Sequence, residues 1–347
     1  MRYLIFLLFA LSFGACQNES DTRMKVLSDQ VPLRKDAGLK TELTGTLKKG
    51  EKVTPLGPVS SFESILEWQG KLLQTPWVKV ETNGLQGWAP AALLSPPDSD
   101  YAAWFERIRM RCYFGDMVTK RREVWLQQNS EQDSDEKVAR SYLEATLLRD
   151  TFMSILAARA APVEPNAQLD YTWMGALLPG FILQKVPLRT EPYLFADYNF
   201  WLREASASQG VQDDQFFQFM AGIFPYDKVE SFFPVWQFQL DDSKSASQLG
   251  TGVHAKLLAE IENLLPASPA FRPLLLQIRS QILDDIAGNN NAGYWQNGEK
   301  ILAELSEIME LNLPSLTETD VIMLQTRYRM FEDPEANAIW VNLRSGE

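Results

Sequence analysis

The sequence predicts an α+β chain in which a small β-barrel is followed by a larger, mainly α-helical domain. Residues 25–97 consist of short runs rich in valine, leucine and threonine between glycines and prolines, which is typical of strands and turns. Residues 98–347 instead place apolar side chains three and four positions apart, the spacing of an α-helix. A chain of 347 residues is long enough for two such domains.

The composition excludes several classes of function. The net charge is −12, which argues against nucleic-acid binding because phosphates are neutralised by lysine and arginine. Two cysteines cannot form a disulfide scaffold, and one histidine cannot form a multi-histidine metal site. No glycine-rich phosphate loop or EF-hand loop occurs in the sequence, so no cofactor is expected.

The N-terminal residues have the pattern of an export signal. Arg2 precedes an apolar run over residues 3–11, and the small residues Gly14 and Ala15 follow it. The apolar run is too short to span a bilayer, which takes about 20 residues. We therefore expect residues 1–15 to be a signal peptide and 16–24 a polar tether. The alternative is a buried N-terminal helix or strand.

The end of this segment resembles the lipobox of bacterial lipoproteins. Residues 11–16 read LSFGAC, with Phe13 where leucine is usual. The resemblance implies that Cys16 becomes the first mature residue and carries a lipid. Each buried methylene of an acyl chain contributes about 0.8 kcal/mol to membrane binding. The protein is then secreted and lipid-anchored. Gln17 is not the aspartate that favours inner-membrane retention, so the periplasmic face of the outer membrane is favoured.

The clearest strand pair lies near the end of the barrel segment. Residues 77–82 and 85–89 flank Asn83-Gly84, and Asn-Gly between two such runs is a strong signal for a β-hairpin. Alternation places Trp77 on one face of its strand and Val78 and Val80 on the other.

Four blocks of the segment resemble the bacterial SH3 (SH3b) family. They are residues 31–34 (VPLR), 47–53 (LKKGEKV), 77–80 (WVKV) and 87–94 (GWAPAALL). The resemblance implies a five-stranded barrel that sits on an envelope protein or beside a cell-wall enzyme. Residues 58–76 are longer than a compact barrel needs, and we predict a partly ordered inserted loop there.

The resemblance also implies candidate ligand-binding residues. Trp77, Pro90 and Leu93 match the groove of the wider SH3 fold, and Trp68 in the predicted insert is a more exposed candidate. Leu93 supplies no aromatic ring, so proline-rich ligands are not expected. Peptidoglycan or another envelope protein is the implied partner. The alternative is that the barrel binds nothing and only packs on the helical domain. Trp88 is expected to be a core residue.

Breaker residues at 95–99 mark the predicted domain boundary. The helices predicted after it cover residues 101–128, which Gly115 could interrupt, 133–161, a segment starting at 190–192, 254–265, 268–288 and 294–311. Residues 321–329 fit a strand or a helix, and 338–343 resemble a strand.

Aromatic residues are concentrated between positions 193 and 238. The spacing is compatible with a core of large side chains and also with a binding groove, because aromatic residues dominate both.

The sequence offers few candidates for catalysis. His254 is the only histidine, and the residues around it and around Cys112 do not resemble the motifs of cell-wall cysteine peptidases. We expect Cys112 to be a buried core thiol. Acidic pairs occur at 135–136, 213–214, 241–242 and 284–285, where solvated helix faces or helix N-termini are the ordinary explanation.

These features predict a non-catalytic envelope lipoprotein that acts as a binding or scaffold module. The alternative is a peptidoglycan hydrolase that uses two of the acidic residues of the helical domain.

Overall fold

The computed structural model describes residues 22–97, 100–129, 133–160, 170–186, 191–289 and 291–345. It shows an α+β chain in which a curled antiparallel sheet is followed by a helical region, as predicted. The predicted signal peptide, Cys16 and most of the tether lie outside the described residues. Within the described ranges, no helix combines the length and the apolar character needed to cross a bilayer.

Seven strands of the described chain form the N-terminal sheet. They are β1 (Met24–Val26), β2 (Val31–Arg34), β3 (Leu43–Leu47), β4 (Lys52–Trp68), β5 (Lys71–Thr82), β6 (Leu85–Pro90) and β7 (Leu94–Ser95). Their order across the sheet is β3-β2-β6-β5-β4-β1-β7, and every pairing is antiparallel. The central strand is β5, which pairs with β4 on one side and β6 on the other.

The predicted hairpin at Asn83-Gly84 is confirmed. Thr82 is opposite Leu85, and the two turn residues have φ angles of 48° and 79°, as a type I′ turn requires. A second turn of this kind joins β4 to β5 at Gln69-Gly70, with φ angles of 50° and 75°.

The prediction of a partly ordered loop at residues 58–76 is wrong. This segment belongs to β4 and β5, which extend as a paired arm to the turn at Gln69-Gly70. Its prolines and glycine look like turn signals in the sequence, but the strand accommodates them with register shifts between Pro55 and Val59 and between Val59 and Glu63.

Helix α1 (Tyr101–Gln128) is interrupted at Gly115, as the sequence suggested. Gly115 has φ 78° and ψ 171°, and open space surrounds the position of a Cβ, so the backbone conformation is what requires glycine there. The chain divides into two compact units at this residue. The first unit extends past the predicted barrel end at residue 97 because Ile108 and its neighbours Trp104 and Phe105 pack into the core of the sheet.

The second unit, from Asp116 onward, contains the second half of α1 and the remaining helices. These are α2 (Asp135–Ala160), α3 (Tyr198–Ala207), α4 (Gln212–Ile223), α5 (Val253–Ala267), α6 (Arg272–Ala287), α7 (Gly298–Glu310) and α8 (Glu318–Glu332). The unit also contains two short strand pairs. Between α2 and α3, β8 (Phe181–Lys185) pairs with β9 (Pro192–Ala196), and between α4 and α5, β10 (Gln237–Gln239) pairs with β11 (Ser245–Ser247).

Local signals located most of these helices, and one prediction is wrong. Helix α6 ends at Gly288, which adopts the left-handed conformation of a C-cap. The sequence predicted a helix starting at 190–192. Residues 192–196 instead form strand β9, because they pair with β8. The helix begins at Tyr198, where the Asp197 side chain accepts a hydrogen bond from the backbone N–H of Asn199.

The ambiguous C-terminal segments are also resolved. Residues 321–329 lie inside α8, whose N-terminus has a capping box between Thr317 and Asp320. Residues 338–343 do not form the expected strand, and Ala338 and Asn342 adopt positive φ angles of 53° and 63°.

Candidate functional site

A cavity of about 120 Å³ lies in the second unit, bounded by α2, α3, α4, α6 and the segment between α4 and β10. Its inner wall is buried and mostly apolar, and its rim is polar and exposed. The inner wall includes Tyr142, Tyr198, Ile223, Trp236 and Ile278, and the rim includes Asp150, Gln277 and Gln281. An apolar interior with a few polar groups is the usual form of a small-molecule site.

One wall of the cavity is a nearly buried ion pair. Nη1 of Arg149 donates to Glu230 over 2.6 Å, and Nε donates to Asp150 over 2.9 Å. The same oxygen of Glu230 accepts the backbone N–H of Ala196 at 2.9 Å. Burial lowers the pKa of Arg149, but Glu230 and the other neighbouring groups outweigh that effect and leave the pKa raised. The guanidinium is therefore always charged and held in place.

Two tyrosine hydroxyls meet at the cavity. The Oη atoms of Tyr142 and Tyr198 are 3.3 Å apart, and both side chains are buried. Burial, with a smaller contribution from the Glu230 charge, raises the pKa of Tyr142 to about 12. Burial also raises the pKa of Tyr198 well above its usual value. Both phenols are therefore neutral at physiological pH and act as hydrogen-bond donors and acceptors, not as bases.

We predict that the tyrosine pair makes stability depend on alkaline pH. The fold favours the protonated phenol, so the stabilisation is complete below the unfolded pKa of about 10 and is lost as the pH rises through about 12. A shift of this size corresponds to about 3 kcal/mol. The measurement is the free energy of unfolding in urea across this range, for the natural chain and for Tyr142→Phe.

Tyr142→Phe removes the titrating phenol, so its stability should fall less steeply with pH. Equal slopes for the two proteins would contradict the prediction.

The aromatic residues between positions 193 and 238 are mainly core. Trp201, Phe216 and Phe217 are fully buried, and the ring of Trp201 is stacked on that of Phe217 at 5.7 Å. The ring of Tyr142 meets Trp201 edge-on at 5.0 Å, so this core forms the support of the cavity. Phe232 and Phe238 are exposed. The core description therefore holds for most of the cluster, and Tyr198, Phe224 and Trp236 of the same cluster line the cavity.

Sequence reasoning missed Arg149, although a signal was present. One stripe of buried residues on α2 consists of Val138, Tyr142, Ala145, Arg149, Phe152 and Leu156. These positions are three or four apart, so Arg149 interrupts an otherwise apolar stripe. Leu147 lies off this stripe and is exposed. A charged residue on the buried face of a helix indicates a partner elsewhere in the fold.

The lone histidine belongs to a different buried cluster. His254 is fully buried at the start of α5, and its Nε2 is 2.9 Å from Asp285, which also accepts the Ser247 hydroxyl at 2.5 Å. Histidine and serine thus bind the same carboxylate, and in this arrangement the histidine is not placed between a nucleophile and an acid. Glu304 lies 3.8 Å from the other ring nitrogen and accepts backbone N–H groups of the α5 N-terminus.

The acidic pairs have local structural partners. Asp213 accepts the Ser208 hydroxyl at 2.7 Å, and Asp241 accepts the backbone N–H groups of Ser243 and Lys244. Asp135 lies near Asp213, and burial together with the Glu136 and Asp213 carboxylates raises its pKa. A Cβ on Gly210 would clash with the Asp135 carboxylate, so this pair is enclosed by the chain. Neither residue lines the cavity.

The sheet encloses most of the residues that we predicted to bind a ligand. Trp77 and Pro90 are partners on adjacent strands, as a shared groove would require, but both are buried, and so is Leu93. The indole N–H of Trp77 donates to Ser64 at 3.0 Å. Trp68 is half-buried and donates to Ser28 at 3.2 Å.

Burial at the centre of the sheet therefore contradicts a surface contact for Trp77, Pro90 and Leu93. Trp88 was expected in the core but is only half-buried. Trp77, which was expected to contact a ligand, is the buried tryptophan of the two.

Cys112 is buried, as expected. In the described ranges, no group of three or more histidine, cysteine, aspartate and glutamate residues is arranged to hold a metal ion.

Comparisons of the chain with protein-family models, curated proteins and solved structures found no match.

Proposed function

We propose that the chain is an exported, lipid-anchored binding protein of the bacterial envelope and that it has no catalytic activity of its own. The observation that carries the binding role is the cavity with the Arg149–Glu230 pair and the two neutral phenols on its wall. Export and anchoring rest on the sequence of residues 1–16.

The chemistry of the cavity favours binding over reaction. A general base needs a pKa near the working pH, whereas the pKa values of Tyr142 and Tyr198 are displaced far above neutrality. The charge of Arg149 is already balanced by carboxylates. Such groups orient a ligand but do not exchange protons with it.

The alternative, a peptidoglycan hydrolase, requires two carboxylates on either side of a bound sugar, about 5–9.5 Å apart. Among the acidic pairs noted in the sequence, Asp135 and Asp213 come close together in the described part of the chain. Both are buried, and Asp135 is packed against Gly210. There is no room for a sugar ring at that position without rearrangement of the chain.

We assign the N-terminal sheet to the SH3b family as part of the same proposal. The four sequence blocks that carry the resemblance fall on β2, on the β3–β4 turn, on β5 and on β6 with β7, and the sheet is curled and antiparallel. Its seven strands and long β4–β5 arm exceed the five strands of the family. A partner of this unit is peptidoglycan or another envelope protein.

The anchor gives a direct test. We expect the chain made in its native host to be found in the membrane fraction, with an N-terminus whose mass corresponds to acylated Cys16. Cys16→Ala should release essentially all of it, because several acyl chains provide the binding energy. Cys112→Ala is the matched control and should stay in the membrane fraction. A mature protein that retains Met1 and stays in the cytoplasm would exclude the proposal.

The role is tested by incubating the purified full chain with peptidoglycan. Retention without release of fragments supports binding, and release of soluble fragments would identify the hydrolase.

A further inference from the structure

The polar groups of the cavity retain hydrogen-bonding capacity. Glu230 uses one carboxylate oxygen for both of its hydrogen bonds, and within the described chain the other oxygen has no hydrogen-bond partner. Arg149 similarly uses Nε and Nη1, and Nη2 has no hydrogen-bond partner among the described residues. The site therefore combines a negatively charged hydrogen-bond acceptor, Glu230, with a positively charged donor, Arg149.

The tyrosine pair adds a further donor. Two hydroxyls that share one hydrogen bond use one proton between them, so the second proton is available to an oxygen atom. Thr146 is not a donor to the tyrosine pair, because its hydroxyl proton is donated to the backbone carbonyl of Tyr142. A ligand oxygen at the tyrosine pair would be bound by neutral donors.

The charges on this wall set the polarity of the ligand. One guanidinium faces two carboxylates, those of Glu230 and Asp150, so the wall carries one net negative charge. Asp150 is 56% exposed and lies at the rim, where an entering group meets it first. An ammonium group fits beside the carboxylates, and an adjacent carbonyl or carboxylate oxygen fits the donors Arg149 and Tyr142.

We infer that the cavity binds a compound with a primary ammonium group next to a carbonyl carbon, either a free amino acid or the N-terminal residue of a short peptide. The inference rests on the proposed binding role. Met220, Ile223 and Ile278 supply an apolar surface for an aliphatic side chain. At about 30 Å³ per molecule in the liquid, a volume of about 120 Å³ holds roughly four water molecules, which is about the bulk of the four-carbon side chain of leucine.

The test is calorimetric titration of the full chain with four probes: leucine, leucinamide, the dipeptide leucyl-glycine and N-acetyl-leucine. Leucine, the dipeptide or both should bind, and N-acetyl-leucine should not, because it lacks the ammonium group. Binding of leucine alone identifies a free amino acid, whereas preference for the dipeptide and leucinamide identifies a peptide N-terminus. Binding of N-acetyl-leucine as tightly as leucine, or no binding of any probe, would overturn the inference.

Variants locate the site. Asp150→Asn should weaken binding about tenfold or more and Tyr142→Phe about fivefold, because each loses one hydrogen bond to the ligand. Asp242→Asn removes the same charge from an exposed position outside the cavity and should leave the affinity unchanged. Equal affinities for Asp150→Asn and Asp242→Asn would exclude this cavity.

The two proposals fail separately. An acylated chain that retains peptidoglycan but binds no probe would exclude the ligand class and keep the anchored binding protein.

Discussion

Replacing Glu304 with alanine should destabilise the second unit by at least about 3 kcal/mol. The side chain is 3% exposed and lies against the N-terminus of α5. Its two oxygens accept backbone N–H groups from Gly250, Gly252, His254 and Ala255. These groups have no acceptor inside the helix, so a carboxylate from α7 replaces the missing cap and also balances the helix dipole.

The alanine variant leaves four donors without an acceptor, two of them buried and two part-buried, which is why the expected loss exceeds that of an ordinary cap. Glu307 lies on the exposed side of the same helix, and Glu307→Ala is the matched control, expected within about 0.5 kcal/mol of the natural chain. Urea unfolding measures both. A loss of under 1 kcal/mol for Glu304→Ala would mean that water replaces the carboxylate at this helix end.

The loop that presents these donors depends on two glycines. Gly250 and Gly252 have φ angles of 95° and 84°, which other residues adopt at a cost. A Cβ on Gly250 would also lie 2.9 Å from the Cβ of Gln296. Gly250 and Gly252 therefore allow the loop to direct their backbone N–H groups at Glu304.

Sequence patterns located those elements whose determinants are local. The Asn83-Gly84 hairpin, the break at Gly115 and the end of α6 at Gly288 each depend on a residue that adopts positive φ at little cost. The residues that carry such signals are neighbours in the chain, so no knowledge of the fold is needed to interpret them.

Elements set by distant partners were missed. Residues 192–196 follow a sequence typical of a helix start, yet they form β9 because β8 is available as a pairing strand. The arm at residues 58–68 contains turn-forming residues and is a strand because β5 pairs with it. Tertiary pairing outweighs local propensity in both cases.

The cavity could not be derived for the same reason. Arg149 and Glu230 are 81 positions apart, and the two tyrosines are 56 positions apart. The stripe on α2 shows that Arg149 needs a partner, but the segment from Asp197 to Glu230 alone contains six acidic residues, and no periodicity distinguishes among them. The candidate site emerges only from packing.

Breaking the ion pair between Glu63 and Arg109 should cost the first unit about 3–5 kcal/mol. Arg109 donates to Glu63 through Nε at 2.6 Å and Nη2 at 3.1 Å, and the two side chains are 8% and 1% exposed. Tyr113 donates to the same carboxylate at 3.0 Å and Gln74 at 2.5 Å. Glu63→Ala leaves the guanidinium in a buried site without its carboxylate partner.

Glu67→Ala, at an exposed position of the same strand, is the control and should change the free energy of unfolding by less than about 0.5 kcal/mol. The double variant Glu63→Leu with Arg109→Met separates the two causes of a loss. A buried pair replaced by apolar residues of similar size is often as stable as the original. Recovery in the double variant would show that the single variant fails because a buried guanidinium has lost the Glu63 carboxylate.

The pair also explains why the first unit extends beyond the sheet. Arg109 and Tyr113 lie on the half of α1 that precedes Gly115, and both bind a carboxylate on the β4–β5 arm. Residues 101–115 should therefore unfold together with the sheet. The hydrogen-exchange rates of the backbone amides of residues 101–115 should match those of the β5 amides in the natural chain. Both sets of rates should rise together in Glu63→Ala. Exchange of the helix amides at unchanged rates in Glu63→Ala would show that the helix is held by its apolar contacts alone.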